Sequence, residues 1–149
     1  MDQKKVDIES LLEHGKTVQL KPQGHSMYPL FVQGRDWAVI KKADCDKLKK
    51  GDVILYRREG GILVLHRICK IKNGEFYLVG DNQCEVEGPL KKEQVKGVLT
   101  LIKRRGKDIY VKHPLYVLLS RLWLFLRPVR PVISKSVARL KRLVRKKRR

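Results

Sequence analysis

Residues 62–79 read ILVLHRICKIKNGEFYLV, and this stretch decides the fold class. Two runs rich in aliphatic and aromatic residues, Ile62–Ile71 and Phe76–Val79, flank Lys72–Glu75. The centre of that connection is Asn73-Gly74, a pair typical of the tight turn of a β-hairpin. We therefore predict an antiparallel hairpin at this point of the chain.

The same pattern of short β-rich runs continues on both sides of the hairpin. Further runs lie at Thr17–Leu20, Trp37–Lys41, Val53–Arg57 and Val95–Lys103, with turn signals at Lys50-Gly51-Asp52, Gly60-Gly61 and Gly88-Pro89. A short amphipathic helix is predicted over Val6–His14, because apolar residues alternate with acids there and Gly15 follows as a C-cap. The sequence thus predicts a mostly β fold, a coiled, barrel-like antiparallel domain over residues 15–104.

Charge divides the 149-residue chain into two parts. Lys and Arg number 35 against 15 Asp and Glu, a net charge of +20, and residues 109–149 hold 13 of the basic residues and no acidic one. We therefore predict a globular domain over residues 1–108 and a basic helical tail over residues 109–149. The 42% hydrophobic content is sufficient for a core, and the absence of a glycine period or repeat excludes collagen-like and solenoid folds.

The tail combines an apolar segment with a basic amphipathic one. Leu115–Leu126 has helical length, Arg127–Pro131 breaks it with two prolines, and a second helix is predicted from Val132 onward. In this second helix Ile133, Val137, Leu140 and Val144 share one side, opposite lysines and arginines.

The apolar segment is too short to cross a bilayer. As a helix, Pro114–Leu126 would be about 20 Å long, against a hydrocarbon core of about 30 Å. Because apolar and basic stretches adjoin, we expect a peripheral protein that binds an anionic membrane surface through its tail, on the cytoplasmic face of the cell membrane. The alternative is that Leu115–Leu126 packs on the β-domain and the basic end stays in water.

Three residues could together perform nucleophilic chemistry. Ser26 lies in the loop segment Gly24–Pro29, GHSMYP, but a serine needs a base within hydrogen-bond reach and most turn serines are structural. His66 lies on the first strand of the hairpin, where a histidine among aliphatic residues is more often a core side chain. Asp81 follows the second strand, so it could orient the imidazole or simply close an Asx turn.

Four segments together resemble type I signal peptidases and the related self-cleaving SOS and phage repressors. In chain order these are Gly24–Pro29, Gly51–Tyr56, Leu65–Ile68 and Gly80–Asn82. His66 stands where bacterial members have a lysine, which is similar to the endoplasmic-reticulum and archaeal type. The resemblance implies a signal-peptidase-like β-fold and a serine endopeptidase that cleaves signal or leader peptides from precursor proteins.

The resemblance also assigns roles to the three residues. It implies that Ser26 is the nucleophile, His66 the general base and Asp81 the residue that orients the imidazole, with the Ser26 N–H as oxyanion donor. Gly24 stands where many signal peptidases have a further serine. Glu85 and Glu87 lie where members of the endoplasmic-reticulum type often carry another aspartate, and neither is assigned a role.

No cofactor or metal is implied by the resemblance, and the three cysteines lack the paired spacing of a zinc site.

Two alternative functions remain open. One is a basic nucleic-acid-binding β-domain, although the positive charge is concentrated in the tail and no aromatic-rich RNA-binding segment is present. The other is a non-catalytic module that binds leader peptides.

Overall fold

A computed structural model describes residues 7–147, and its architecture is one antiparallel sheet followed by two helices. The strands are β1 (Val18–Leu20), β2 (Asp36–Lys42), β3 (Val53–Arg57), β4 (Leu63–Lys72), β5 (Glu75–Val79), β6 (Glu87–Leu90), β7 (Val95–Arg104) and β8 (Lys107–Tyr110). Their order in the sheet is β1-β2-β7-β3-β4-β5-β6, and β8 pairs with β7. The helices are α1 (Ile8–Glu13), α2 (Pro114–Phe125) and α3 (Arg130–Lys147).

The mostly β fold class is confirmed. The predicted hairpin joins β4 to β5, where Lys72 pairs with Glu75 and Asn73 and Gly74 both adopt positive φ, at 52° and 73°. Asn and Gly tolerate this left-handed conformation better than other residues, which is why this pair closes the turn. Strands β6 and β8 were not predicted, because each is a four-residue segment without a clear hydrophobic alternation.

The sheet curls so that its central strands are buried on both faces. Alternate residues of β3 enter two different cores: Val53 and Leu55 belong to the larger core, and Ile54 and Tyr56 belong to the smaller one. Strand β4 divides in the same way, with Leu65 facing the larger core. These strands therefore appear in the sequence as continuous hydrophobic runs rather than as alternating ones.

The amino-terminal helix closes one end of the larger core. Its N-cap is Asp7, whose carboxylate accepts a hydrogen bond from the Ser10 N–H, and its Leu12 is fully buried. The predicted helix began at Val6, a residue outside the described part of the chain.

Two carboxy-terminal helices are present as predicted, but the turn between them is only Arg127–Val129, and α3 begins at Arg130, inside the predicted break and two residues before Val132. A proline in the first turn of a helix costs no hydrogen bond, which is why Pro131 does not break α3. The predicted domain boundary at residue 108 falls inside β8, which continues to Tyr110. Leu124 of α2 packs against Cys69 of β4 and Val79, the last residue of β5. Within residues 7–147, no helix combines the length and the apolar character needed to cross a membrane.

Candidate active site

The loop between β1 and β2 holds Ser26 in a fixed, half-buried position. Met27 and Phe31, on its carboxyl side, are buried in the larger core, and the Phe31 N–H donates to the Met27 carbonyl. On the amino side, the Gly24 N–H donates to the Gln33 side chain at 3.0 Å. Ser26 is therefore held between two anchored segments of an otherwise irregular loop.

The backbone of Ser26 docks directly on the segment that follows β5. The Asn82 N–H donates to the Ser26 carbonyl with an N···O distance of 2.7 Å. A Cβ atom on Gly80 would lie 2.6 Å from the same carbonyl oxygen, closer than real Cβ atoms come. Glycine is thus required at position 80 for the serine loop to approach this closely.

His66 lies on β4 beside this junction. Arg67 pairs with Val79 in the antiparallel register, so the preceding residue, His66, lies level with Gly80. The imidazole is buried, and its Nδ1 is 3.1 Å from the Tyr56 hydroxyl. The structure therefore brings the predicted base to the segment on which the serine loop docks.

Tyr56 connects the imidazole to a carboxylate. Its hydroxyl donates to Glu87 Oε2 at 2.8 Å, and Glu87 is held in turn by Arg58 through two hydrogen bonds of 2.7 Å each. Since the hydroxyl has one proton and gives it to Glu87, its oxygen accepts from His66 Nδ1–H. This arrangement leaves the lone pair of His66 on Nε2, the atom a general base would use.

The electrostatics of this chain favour a neutral imidazole. Burial lowers the pKa of His66, and the nearby Glu87 carboxylate opposes this only in part. Hydrogen bonding by Arg58 lowers the pKa of Glu87, so this carboxylate stays ionised. Burial, followed by the hydrogen bond to Glu87, raises the pKa of Tyr56 and keeps its proton in place.

Asp81 lies elsewhere than the serine–histidine–aspartate interpretation expects. Both of its oxygens accept from Arg67, at 2.7 Å from Nε and 2.8 Å from Nη2, and both side chains are fully buried. Arg67 also donates to the Gly51 carbonyl at 2.7 Å. Because β4 alternates, Arg67 and His66 point to opposite faces of the strand, and the hydrogen-bond partner of His66 Nδ1 is Tyr56 rather than Asp81.

The carboxy-terminal helices also contact this segment. Trp123 of α2 donates its indole N–H to the Asp81 carbonyl at 2.6 Å. Arg130, at the start of α3, is buried and donates to the carbonyls of Gly80 and Gln83 at 3.1 and 2.8 Å. Residues 80–83 are thus held by the serine loop on one side and by the tail on the other.

The other titratable residues close to Ser26 and Asp81 in the sequence differ in exposure. His25 is exposed and so is Glu85, whereas Glu87 is half-buried in the tyrosine network. The Ser26 hydroxyl makes no hydrogen bond to another residue in the described part of the chain; in enzymes without substrate, catalytic hydrogen bonds are often long or poorly aligned.

A groove of about 600 Å³ lined by Arg58 and residues 83–87 opens beside the network formed by His66, Tyr56 and Glu87. Residues 7–147 contain no cluster of three or more His, Cys, Asp or Glu side chains arranged to hold a metal.

A serine loop docked beside a buried strand histidine, on a curled antiparallel sheet, is the arrangement of a serine-peptidase-like fold. Residues 2–99 match the family described as Peptidase S24-like, and the chain therefore belongs to this family. No curated protein matches the sequence.

Proposed function

We propose that the protein is a serine endopeptidase that cleaves signal or leader peptides from precursor polypeptides. The observation that carries this proposal is the docking of the Ser26 loop on residues 80–82, level with a buried His66 whose Nδ1 is hydrogen-bonded to Tyr56. Membership of the Peptidase S24-like family supports the peptidase chemistry. The signal-peptide specificity rests on the resemblance of the four sequence segments.

The chemistry follows from these positions. Ser26 Oγ attacks the carbonyl carbon of the scissile peptide bond while His66 Nε2 accepts its proton, and the peptide C–N bond breaks as the same proton passes to the leaving amine. Water then attacks the acyl-enzyme with His66 again as base, releasing the new carboxylate and restoring Ser26. The Ser26 N–H makes no hydrogen bond among the described residues and is the candidate oxyanion donor.

The proposed orienting group differs from the aspartate of the sequence interpretation. Tyr56, bonded to Glu87, accepts from His66 Nδ1 and holds the imidazole in the tautomer that catalysis needs. Asp81 has a different part: paired with Arg67, it holds the segment that receives the serine loop. The acidic group nearest to the imidazole Nδ1 is Glu87, 3.8 Å away.

The direct test is cleavage of a proteome-derived peptide library, read by mass spectrometry as newly formed amino termini. The wild-type protein should generate new termini that follow small residues, as the resemblance implies. Ser26→Ala should abolish them and His66→Ala should be nearly as damaging, whereas His25→Ala, at the exposed neighbouring position, should leave them unchanged. Circular dichroism would verify that each variant is folded.

Two results would overturn the proposal. One is a set of new termini that Ser26→Ala leaves unchanged, since cleavage would then not depend on this nucleophile. The other is the absence of any new terminus with folded wild-type protein, which would favour the non-catalytic peptide-binding alternative.

A further inference from the structure

The outward side of α2 is an uncovered apolar stripe. Leu115, Leu118, Leu119, Leu122 and Phe125 recur at helical spacing along one side and are all exposed, Leu118 by 63% and Phe125 by 80%. The opposite side, with Ser120, Trp123 and Leu124, packs on the β-domain or bonds to it. Burying the inner face of this helix thus leaves a second apolar face that stays exposed among residues 7–147.

Helix α3 carries a similar stripe. Val137, Leu140 and Leu143 are exposed on one side of this 18-residue helix, and Lys135 and Arg142 lie on the other. Val132 and Arg139, seven residues apart, lie together at the boundary between the two sides. Every described side chain from Lys135 to Arg145 is exposed. The helix is therefore strongly amphipathic and about 27 Å long, and its described apolar side chains from Val137 onward are exposed.

We propose that these two stripes together form a docking surface for an anionic lipid bilayer, with both helices lying in the interface rather than crossing it. Charge identifies the partner: residues 109–149 carry 13 basic residues and no acidic one, beside an apolar area suited to acyl chains. An amphipathic helix of this kind buries its apolar face about 5–10 Å into the headgroup region, while its Lys and Arg contact anionic lipid.

Helix α2 and the start of α3 are bonded to the segment that receives the Ser26 loop. Trp123, on the inner side of α2, bonds to the Asp81 carbonyl, and Arg130 bonds to the carbonyls of Gly80 and Gln83. A helix with its side chains is about 10–12 Å across, so the bilayer would lie within about that distance of the segment that receives the Ser26 loop. A nucleic acid would explain the charge but would leave both apolar stripes in water.

The test is flotation of the full chain with vesicles of phosphatidylcholine containing phosphatidylglycerol as the minority lipid, compared with pure phosphatidylcholine vesicles. The wild-type protein should float only with the anionic vesicles, and more weakly as salt increases. Leu118→Asp on α2 and Leu140→Asp on α3 should each lower vesicle affinity by roughly tenfold or more, since each withdraws a leucine from the interface.

Ile62→Asp is the matched control. Ile62 is exposed by 63%, the same fraction as Leu118 and Leu140, but it lies in the turn between β3 and β4. This variant should float like the wild type, so that a loss in the other two is specific to the stripes. Lys141→Gln combined with Arg142→Gln should lower affinity by roughly 25-fold, at about fivefold for each charge.

Three outcomes would overturn the proposal. Equal flotation of Leu118→Asp, Leu140→Asp and Ile62→Asp would show that the stripes do not contact lipid. Equal flotation with neutral and anionic vesicles would remove the role of charge. Tighter binding of a DNA duplex than of anionic vesicles, unaffected by Leu118→Asp, would assign the tail to nucleic acid.

Discussion

The Tyr56 hydroxyl lies between His66 and Glu87, 3.1 Å from Nδ1 of the imidazole and 2.8 Å from Oε2 of the carboxylate. In the proposed mechanism this tyrosine takes the place of the directly bonded carboxylate of a serine–histidine–aspartate triad, which fixes the tautomer of the imidazole. The hydroxyl also separates the negative charge of Glu87 from the ring, so an imidazolium formed in the proposed reaction would be stabilised from 3.8 Å rather than through a direct hydrogen bond.

Replacing Tyr56 by Phe tests whether the hydrogen bonds from His66 through Tyr56 to Glu87 position the imidazole. The substitution keeps the buried ring but removes the acceptor of His66 Nδ1–H, so the imidazole loses its fixed tautomer. We expect kcat to fall about 10–100-fold, as for other residues that orient a functional imidazole, while the free energy of unfolding falls by only about 1 kcal/mol. Steady-state kinetics and urea unfolding on the same preparation measure both. A wild-type kcat would exclude Tyr56 as the positioning residue.

The pH dependence of kcat/KM should depend on Glu87. Because burial lowers the pKa of His66 and catalysis needs the neutral ring, activity should rise with pH along a limb whose midpoint lies below about 6.5. The charge of Glu87 raises the pKa of His66, so Glu87→Gln should move this limb to still lower pH and reduce kcat.

Glu85→Gln is the matched control for the Glu87 experiment. Both glutamates follow residues 80–82 in the chain, but Glu85 is exposed and only Glu87 bonds to Tyr56. The Glu85 variant should retain the wild-type pH profile. A shift of equal size in both variants would mean that general surface charge, rather than the tyrosine network, sets the pKa of His66.

The sequence placed His66 on the first strand of the hairpin and Asp81 after the second strand, but it did not identify the hydrogen-bond partner of either side chain. A β-bulge between Ile68 and Lys70 shifts the pairing of β4 with β5 by one residue from the register that the turn sets. The hairpin turn at Asn73-Gly74 was still enough to place Asp81 near β4. It did not determine which side chain of β4 meets the carboxylate. Arg67 and His66 are adjacent in sequence but point to opposite faces, and the sheet curls so that both faces are buried.

Tyr56 was missed as a functional residue for a related reason. Its partner strand is β4, and the register places Ile54 opposite His66 and Tyr56 opposite Val64, so Tyr56 is the diagonal neighbour of the imidazole. Pairing Val53–Arg57 with Ile62–Ile71 across Gly60-Gly61 would have suggested this contact from sequence. The bond to Glu87 could not be anticipated, since β6 is short and the register of β5 with β6 is irregular.

Gly80→Ala should separate the Ser26 loop from residues 80–82 without replacing any side chain of the candidate active site. The added Cβ would meet the Ser26 carbonyl at 2.6 Å, so the loop must move away from residues 80–82 and lose the bond from the Asn82 N–H. Since misplacement of a reacting group by about 1 Å can cost on the order of 100-fold, we expect a loss of that size in kcat/KM.

Gly15→Ala provides the comparison for the Gly80 variant. Gly15 has a φ of +73° but open space where an alanine methyl group would lie, so this change introduces backbone strain remote from the site. It should lower the free energy of unfolding by about 1 kcal/mol and leave kcat/KM unchanged. Equal loss of activity in both variants would attribute the Gly80 effect to stability alone.

Asp81→Asn separates the two roles considered for this aspartate. In the structure its carboxylate neutralises the buried Arg67, so the amide should leave an uncompensated buried charge and lower the free energy of unfolding by about 3–5 kcal/mol. Denaturant unfolding monitors this directly. A variant that is as stable as the wild type but catalytically impaired would instead support the original orienting role of Asp81.

Acid sensitivity should arise at Asp36, which anchors the other end of the serine loop. Its buried carboxylate accepts from Arg35, Arg104 and the Val32 N–H. Burial alone would raise the pKa of Asp36, but these three partners together outweigh it and hold the pKa well below its usual range. A pKa lowered by folding contributes stability that is complete above the unfolded-state value of about 4 and is lost as the pH falls below it.

The free energy of unfolding of the wild type should therefore decline as the pH falls below about 4. Asp36→Asn should make this decline shallower and should lower the free energy of unfolding by about 1–3 kcal/mol at neutral pH. Asp108→Asn removes an exposed carboxylate on β8 that takes no part in this network, and it should leave the decline close to that of the wild type. Urea unfolding at a series of pH values measures all three proteins. If the free energy of unfolding falls equally with pH in Asp36→Asn and the wild type, another group must cause the loss of stability in acid, because a carboxamide at position 36 cannot titrate.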